Sequence, residues 1–450
     1  MSGVDLRQVA SDLVAAARVA GADAADALVG DSDGLQVGVR LGEVEKLERA
    51  RERRVGLRVF VGTATAIVST SDLSPDALRA LAVDACALAR ATAPDPDGGL
   101  VDPQYLATAI PDLQLYDPAV ETLDPDDALA RCRAAEDAAR GASPEITNSE
   151  GAEFGAGSGH VAYASSTGFV GSYVGSSFGL HATPVASRDG AMQRDSWYTA
   201  GRRLAALEAP EAVGREAARR TLRRLGGRRV PTQTCPIVFA PDAAASLLRH
   251  LAGAISGPSL YRRTSFLADK LGERVAAAGI TIVDDPLIPG GHASRPFDGE
   301  GVACTRRTIV EDGVLRSYLL DAYSARRLGM APTGHAVRAA GDAPGVGPTN
   351  FHLQPGPHAP EAIVASVRAG LYVTELIGFG VNLVTGDYSR GAAGLWIENG
   401  ELTHAVEEVT IAGNLLGMLG QVEMVGSDLV VRASTCAPTL KIAAMTLAGA

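Results

Sequence analysis

The chain has 450 residues, 46% hydrophobic and 21% charged, enough for two or three ordinary cores and too apolar for a disordered polypeptide. Its 52 acidic and 41 basic side chains leave a formal charge of −11; a phosphate backbone needs a basic field, so a general nucleic-acid binder is excluded as a class. No uncharged apolar run reaches the roughly 18–20 residues of a membrane span. The N-terminal stretch to Asp23 carries acids on a helical pattern instead of a basic segment and an apolar core, so the expected compartment is the cytoplasm. Cys86, Cys132, Cys235, Cys304 and Cys436 are odd in number and far apart, which fits reduced, buried thiols and neither a disulfide framework nor a zinc ribbon.

In chain order, a helix is expected from about Val4 to Ala20. Two alternating stretches, Gly34–Leu41 and Val55–Val61, follow, separated by the charged run GEVEKLERARERR, which reads as a solvated connection. Thr63–Ser69 continues the strand character. Ser74-Pro75-Asp76 supplies a cap, a first-turn proline and an early acid for a helix to about Thr92. Asp124-Pro125-Asp126-Asp127 opens a helix to about Arg140 by the same chemistry. The Gly-, Ser- and Val-rich segment Ile146–Tyr198 predicts antiparallel strands with turns every ten residues or so. A helix near Glu211–Leu225 ends in Arg219, Arg220, Arg223 and Arg224, read as a solvated end that complements the helix dipole.

Cys235–Phe239 then reads as a buried strand and Asp242–Ser256 as a helix stopped by Gly257-Pro258. Asp312-Gly313 and Asn399-Gly400, each between apolar residues, predict type I′ hairpins, and helices are expected at Leu319–Leu328 and Pro360–Ala369. The fold class is α+β: N-terminal helix-plus-antiparallel-sheet units (1–112 and 113–229, which pack as one or two domains) precede a mostly antiparallel β domain (230–450). That last domain is expected to be barrel-like or strongly curved, with flanking helices.

Several motifs invite a chemical reading. Gly175-Ser176-Ser177-Phe178-Gly179 matches GxSxG, but the next residues continue as strand where a nucleophile elbow needs a helix, and His160 and His181 read as sheet-face residues. Gly378-Phe379-Gly380 lacks the third glycine of a dinucleotide fingerprint. No two histidines have zinc-helix spacing, and His352 and His358 flank a Pro-Gly-Pro loop. Acid-rich turns occur at Asp284-Asp285, at Arg295-Pro296-Phe297-Asp298-Gly299-Glu300, and at Asp387-Tyr388-Ser389-Arg390. Their carboxylates suit acid–base or metal work, and equally the tying of loops to arginine.

The runs SLLRHLAGAISGPSLYRRTSFLADKLG, TIVDDP, SRPFDGEGV, LLDAYSARRLG with TGHA, and VTELIGFGVNLVTGDYSRGAAGLWIENGEL resemble the TldD/PmbA family, and most closely its PmbA (TldE) branch. The resemblance covers essentially the whole chain. It implies a subunit of a cytosolic heterodimeric zinc metalloprotease acting on small or unfolded peptides, with a TldD-like protease subunit as partner. In the TldD branch a helix carries HExxxH. The matching positions here are Arg249, His250 and Ala254, so the resemblance implies no catalytic residue, no metal and no cofactor in this chain, and zinc in the partner. TldD's further cysteine ligand falls near Met424 by spacing, and Cys436 resembles a cysteine of the PmbA branch. Arg295, Asp298, Glu300, Asp387 and Arg390 are candidate peptide or partner contacts. Two other functions stay open: a self-sufficient hydrolase using a carboxylate or Cys/His site around Asp298, Glu300 or Cys304, and a non-enzymatic binding protein of the gyrase-modulator kind.

Overall fold

A computed structural model describes residues 4–449. Helix α1 (Leu6–Val19) is capped by Asp5, whose carboxylate accepts from the Arg7 and Gln8 amides, and it buries Leu6, Ala10, Leu13 and Ala17 on one face. Next come β1 (Ala24–Arg40), β2 (Glu43–Val61), β3 (Ala64–Thr70) and α2 (Pro75–Ala91), the last capped by Ser74. A short α3 (Ala119–Thr122) and α4 (Pro125–Arg140), capped by Asp124, lead into β4 (Ile146–Ser165), β5 (Val170–Arg188), β6 (Ala191–Arg194) and β7 (Trp197–Gly201). These strands form one antiparallel sheet in the order β3-β2-β1-β4-β5-β6, with β7 also on β5. Sequence units 1–112 and 113–229 therefore share a sheet. Helices α1, α2, α4 and α5 (Pro210–Leu222) cover it.

Three expectations need correction here. The charged run 42–54 is no connection: it is half of β2, and the turn is only Leu41-Gly42, both at positive φ. Charge alternation holds it in place of apolar alternation, because Asp31 and Asp33 on β1 meet Arg51, Arg53 and Arg49 across the strands at 2.8, 2.6 and 3.2 Å. The supposed turns within Ile146–Tyr198 do not break the strands; β4 and β5 run 20 and 19 residues. Of the glycines within these two strands only Gly151 has positive φ, at the register shift between Ser149 and Ala152. Third, the arginine-rich end of α5 is docked, not solvated. Arg220 is buried and lies over Trp197, and Arg224 reaches Glu375 of the C-terminal domain.

The C-terminal domain begins with β8 (Gln233–Phe239), α6 (Pro241–Ala254), α7 (Gly257–Tyr261) and β9 (Ile282–Asp284). It continues through β10 (Arg307–Glu311), β11 (Val314–Leu315), α8 (Ala322–Leu328), β12 (Ala336–Val337), β13 (Gly345–Val346) and β14 (Phe351–Leu353). Last come α9 (Pro360–Ala365), β15 (Ala369–Ile377), β16 (Asp387–Glu398), β17 (Glu401–Asn414), α10 (Leu415–Gly420), β18 (Val422–Val425), β19 (Thr435–Cys436) and β20 (Leu440–Ala448). Strands β17-β16-β15-β8-β20 close into a barrel through the β17–β20 pairing, and β11-β10-β9-β14-β19 form a second, curled sheet. Asp312-Gly313 and Asn399-Gly400 have positive φ at both residues, as the hairpin reading requires. Gly257-Pro258 starts α7 instead of ending in a loop, since proline is at home in a first helical turn.

The two halves meet through buried charge. Asp26 on β1 is fully buried and accepts from Arg58 Nε at 3.1 Å, from Arg338 Nη1 at 2.7 Å and from the Tyr163 hydroxyl at 3.1 Å. Arg58 also reaches Glu300 at 3.0 Å, whose other oxygen takes the Ala322 amide at the start of α8. Gly56 lies so close to Gly341 that an added Cβ would stand 2.1 Å from its nitrogen, so only glycine permits this approach. Removing one member of such a network strands the opposite charges in a medium that cannot solvate them. Arg58→Met is expected to cost roughly 3–5 kcal/mol, read as a lowered urea midpoint; an unchanged midpoint would contradict this.

Candidate functional site

Helix α6 carries the positions singled out from the sequence. Proline at its first position and a run of alanine favour the helix, and Leu247, Leu248 and Leu251, with Ile255 just beyond, anchor it in the main C-terminal core. Arg249 is exposed, His250 is half-buried and Ala254 is fully buried. The His250 ring stands edge-on to Tyr388 of β16, with centroids 6.2 Å apart. Burial, then the Arg390 and Arg249 charges, hold its pKa below the usual histidine range. His250 Nε2, the Tyr388 hydroxyl and Arg390 Nε are buried without a hydrogen-bond partner.

A zinc ion does not fit these residues. Ala254 offers no donor atom, Arg249 is a fixed cation, and Arg390 adds a second guanidinium beside the one imidazole present. Among the described residues, no three His, Cys, Asp or Glu side chains converge to hold a metal anywhere in the chain. Met424 lies on β18, and the buried Cys436 thiol donates to the Ala433 carbonyl at 3.2 Å.

The other candidates divide into two groups. Asp387 and Arg390 are on β16 near α6: Asp387 is exposed and accepts from Thr385 Oγ1 at 2.6 Å, while Arg390 Nη2 donates to the Leu376 carbonyl at 3.1 Å. Asp298 and Glu300 are buried at the junction of the two halves. Asp298 accepts from the Glu300, Val302 and Ala336 amides at 2.9–3.0 Å, and Arg295 beside it has Nε and Nη2 buried without partners. As contacts for a peptide or partner, Asp298 and Glu300 are corrected to internal supports, because neither carboxylate reaches the surface. Burial and the Glu300 carboxylate push Asp298 up to about 7 against the pull of Arg295, and burial drives the Cys304 thiol up to about 12. A thiol held that firmly protonated is a poor nucleophile.

One constellation escaped the sequence. Asp284 accepts from His335 Nε2 at 3.0 Å, and His335 Nδ1 lies 2.8 Å from Thr333 Oγ1. The order hydroxyl–imidazole–carboxylate has the topology of a hydrolase triad. It is sealed in the core, however: Thr333 already binds the Leu320 amide and carbonyl at 2.7 and 3.2 Å, and Asp284 also binds Thr349. A nucleophile needs a free approach that this hydroxyl lacks, so the trio pins the TIVDDP segment against TGHA. Ser177, the serine of GxSxG, lies mid-strand on β5 opposite Gly157 of β4, where a nucleophile elbow needs a turn into a helix.

Comparison with known proteins gives a consistent result. The PmbA/TldA metallopeptidase domain 1, central domain and C-terminal domain match residues 25–89, 118–225 and 232–449. The metalloprotease PmbA of Escherichia coli O157:H7 is 40% identical over 95% of this chain and 92% of its own. A solved Bacteroides thetaiotaomicron protein, described as a modulator of DNA gyrase, superposes with a TM-score of 0.92 at 28% identity over the full length of both chains. TldE from Thermococcus kodakarensis superposes with a TM-score of 0.87 at 20% identity, covering 98% of this chain and 99% of that one, a likeness of fold.

The raised Asp298 has a consequence for stability. An unfolded aspartate releases its proton near the ordinary 3.8, whereas the folded one keeps it until about 7. Between those values the folded state binds more protons, so this carboxyl makes stability fall as pH rises. Asp298→Asn is expected to flatten that decline in urea midpoints followed from about pH 4 to about pH 8; parallel profiles for the two proteins would contradict it.

Proposed function

Since the chain belongs to the PmbA/TldD family, in its PmbA (TldE) branch, we propose that it is the non-catalytic subunit of a cytosolic two-chain peptidase whose zinc is carried by a TldD-like partner. The observation that carries this reading is the donor set of α6: an exposed arginine, a histidine flanked by guanidinium groups, and an alanine. In this reading the chain completes a chamber and helps hold a small or unfolded peptide in extended form, through backbone pairing of the strand-addition kind. The metal chemistry belongs to the other chain.

Support for a partner surface comes from the loop that leads into β16. Ile377, Phe379 and Val384 are exposed there, Phe379 completely, beside Asp387 and Arg390. An apolar cluster ringed by charge is the usual composition of a protein interface. We place the TldD-like subunit on this loop, with Arg249, Asp387 and Arg390 at the edge of the contact.

The test is co-expression with the TldD-like chain encoded in the same genome, followed by zinc content and peptide cleavage for each chain alone and for the pair. The expectation is no stoichiometric zinc and no cleavage from this chain alone, and activity from the pair. Zinc-dependent cleavage by this chain alone would overturn the division of labour. If Asp298→Ala, Glu300→Ala or Cys304→Ala then abolished that activity in a folded chain, a hydrolytic site of its own would be established. Capture of gyrase in place of a TldD-like chain would favour the binding-protein reading. Phe379→Glu should weaken subunit association by about ten-fold or more without moving the thermal melting curve; equal association would remove this loop from the interface.

A further inference from the structure

The end of α5, the start of α6 and the 428–437 segment enclose a cavity of about 290 Å³ that no motif announced. Arg219, Arg220, Arg223 and Arg432 all line it. Arg220 is about nine-tenths buried, and its guanidinium lies 4.8 Å from the Trp197 ring centre, with that of Arg432 at 4.0 Å from the same ring. Arg220 donates a long hydrogen bond from Nη1 to Asp242 at 3.4 Å and forms a looser ion pair with Asp195 at 3.7 Å. Arg223 has no ion pair among the described residues, and the Nε atoms of both Arg220 and Arg223 are buried without an acceptor.

Crowding guanidinium groups where two of them are partly withdrawn from water is unfavourable unless negative charge offsets it. Arg219 is satisfied by a two-pronged pair with Glu216, both contacts 2.7 Å, and Arg432 by Glu208 at 3.4 Å. Arg223 is therefore the cation left over, with Arg220 half-served beside it. Two adjacent guanidinium forks match the planar oxygens of a carboxylate or phosphate.

The rest of the lining selects between those oxyanions. Trp197, Tyr198, Tyr372, Val430 and Ala245 make an apolar and aromatic wall, suited to a short organic body. Glu216, paired with Arg219, and Asp242 and Asp428 also face the cavity. Asp428 is occupied by the Thr439 amide and hydroxyl at 3.0 and 2.7 Å, whereas the Asp242 side chain is half exposed. Carboxylates in the lining repel a doubly charged phosphate more than a singly charged carboxylate. The volume sits at the small end of ligand cavities, room for one or two amino-acid residues.

We propose that this cavity binds the C-terminal carboxylate of a short peptide, with Arg223 and Arg220 gripping the two oxygens and the aromatic wall holding the last side chain. The choice of a peptide rests on the peptidase reading above, while the oxyanion site stands on Arg223, which has no carboxylate partner among the described residues, and on its place beside Arg220 in the cavity lining. Arg249, one turn further along α6 and within electrostatic reach of Tyr198, extends the cationic path from the cavity toward the candidate interface.

Titration calorimetry on the purified full chain, without partner or metal, tests this. The probes are N-acetyl-trialanine with a free carboxylate, its C-terminal amide, and inorganic phosphate. Saturable binding of the acid is expected, with the amide at least about ten-fold weaker and phosphate unable to displace the acid. Arg223→Met should weaken the acid about ten-fold, with the thermal melt of the variant confirming its fold. Equal binding of acid and amide, no binding of either, displacement by phosphate, or an unchanged affinity in folded Arg223→Met would each overturn the proposal. None of these measurements involves zinc or cleavage, so failure here and failure of the peptidase reading are separately visible.

Discussion

The chain is organised around charge that has been taken out of water. Asp26 lies at the centre, held by Arg58 from the neighbouring strand and by Arg338 from the C-terminal half, with Glu300 closing the set. Burial by itself would keep Asp26 protonated; the two guanidinium groups outweigh it and hold its pKa below the normal carboxylate value. Apolar packing would tolerate sliding between a sheet and a barrel. Paired forks of arginine and carboxylate do not, because a small displacement leaves a buried charge unmatched. Gly56 against Gly341 adds a steric stop at the same junction. The relative position of the two halves follows from this, and with it the cavity between α5 and α6.

Within that frame α6 has two sides of different character. Its leucines fix the helix against the main C-terminal core. Its outward side presents arginine, and its neighbours across the gap are Tyr388 and Arg390. A helix so anchored makes a stable wall whatever its surface chemistry. The hydroxyl–imidazole–carboxylate trio of Thr333, His335 and Asp284 shows the complementary case, in which suitable chemical groups are placed where no substrate can arrive. Residue type decides the case at α6, where Arg249 is exposed but is no ligand, and accessibility decides it at the trio.

Much of the fold was legible in the sequence wherever local chemistry decides conformation. Ser74 and Asp124 cap their helices as read, and the Asp-Gly and Asn-Gly pairs turn the hairpins where expected. The misreadings share a cause: the deciding partner was distant in sequence. The run 42–54 looked like a loop because its strand pairing depends on Asp31 and Asp33. The α5 arginines read as solvated because Trp197, Asp242 and Glu375, which stand over them, are remote in sequence. For the candidate site, α6 was visible through its spacing and its resemblance, whereas Asp298 and Glu300 could not be told from surface acids, since only the tertiary structure shows their burial. The cavity left no local signal at all.

Where the zinc sits in the assembled pair decides whether this chain is the proposed non-catalytic subunit. Diffraction from crystals of the reconstituted pair, recorded on both sides of the zinc absorption edge, would place every zinc atom. The expected result is an anomalous peak on a helix of the partner and none near α6 of this chain; a peak at full occupancy between His250 and Tyr388 would overturn the proposal.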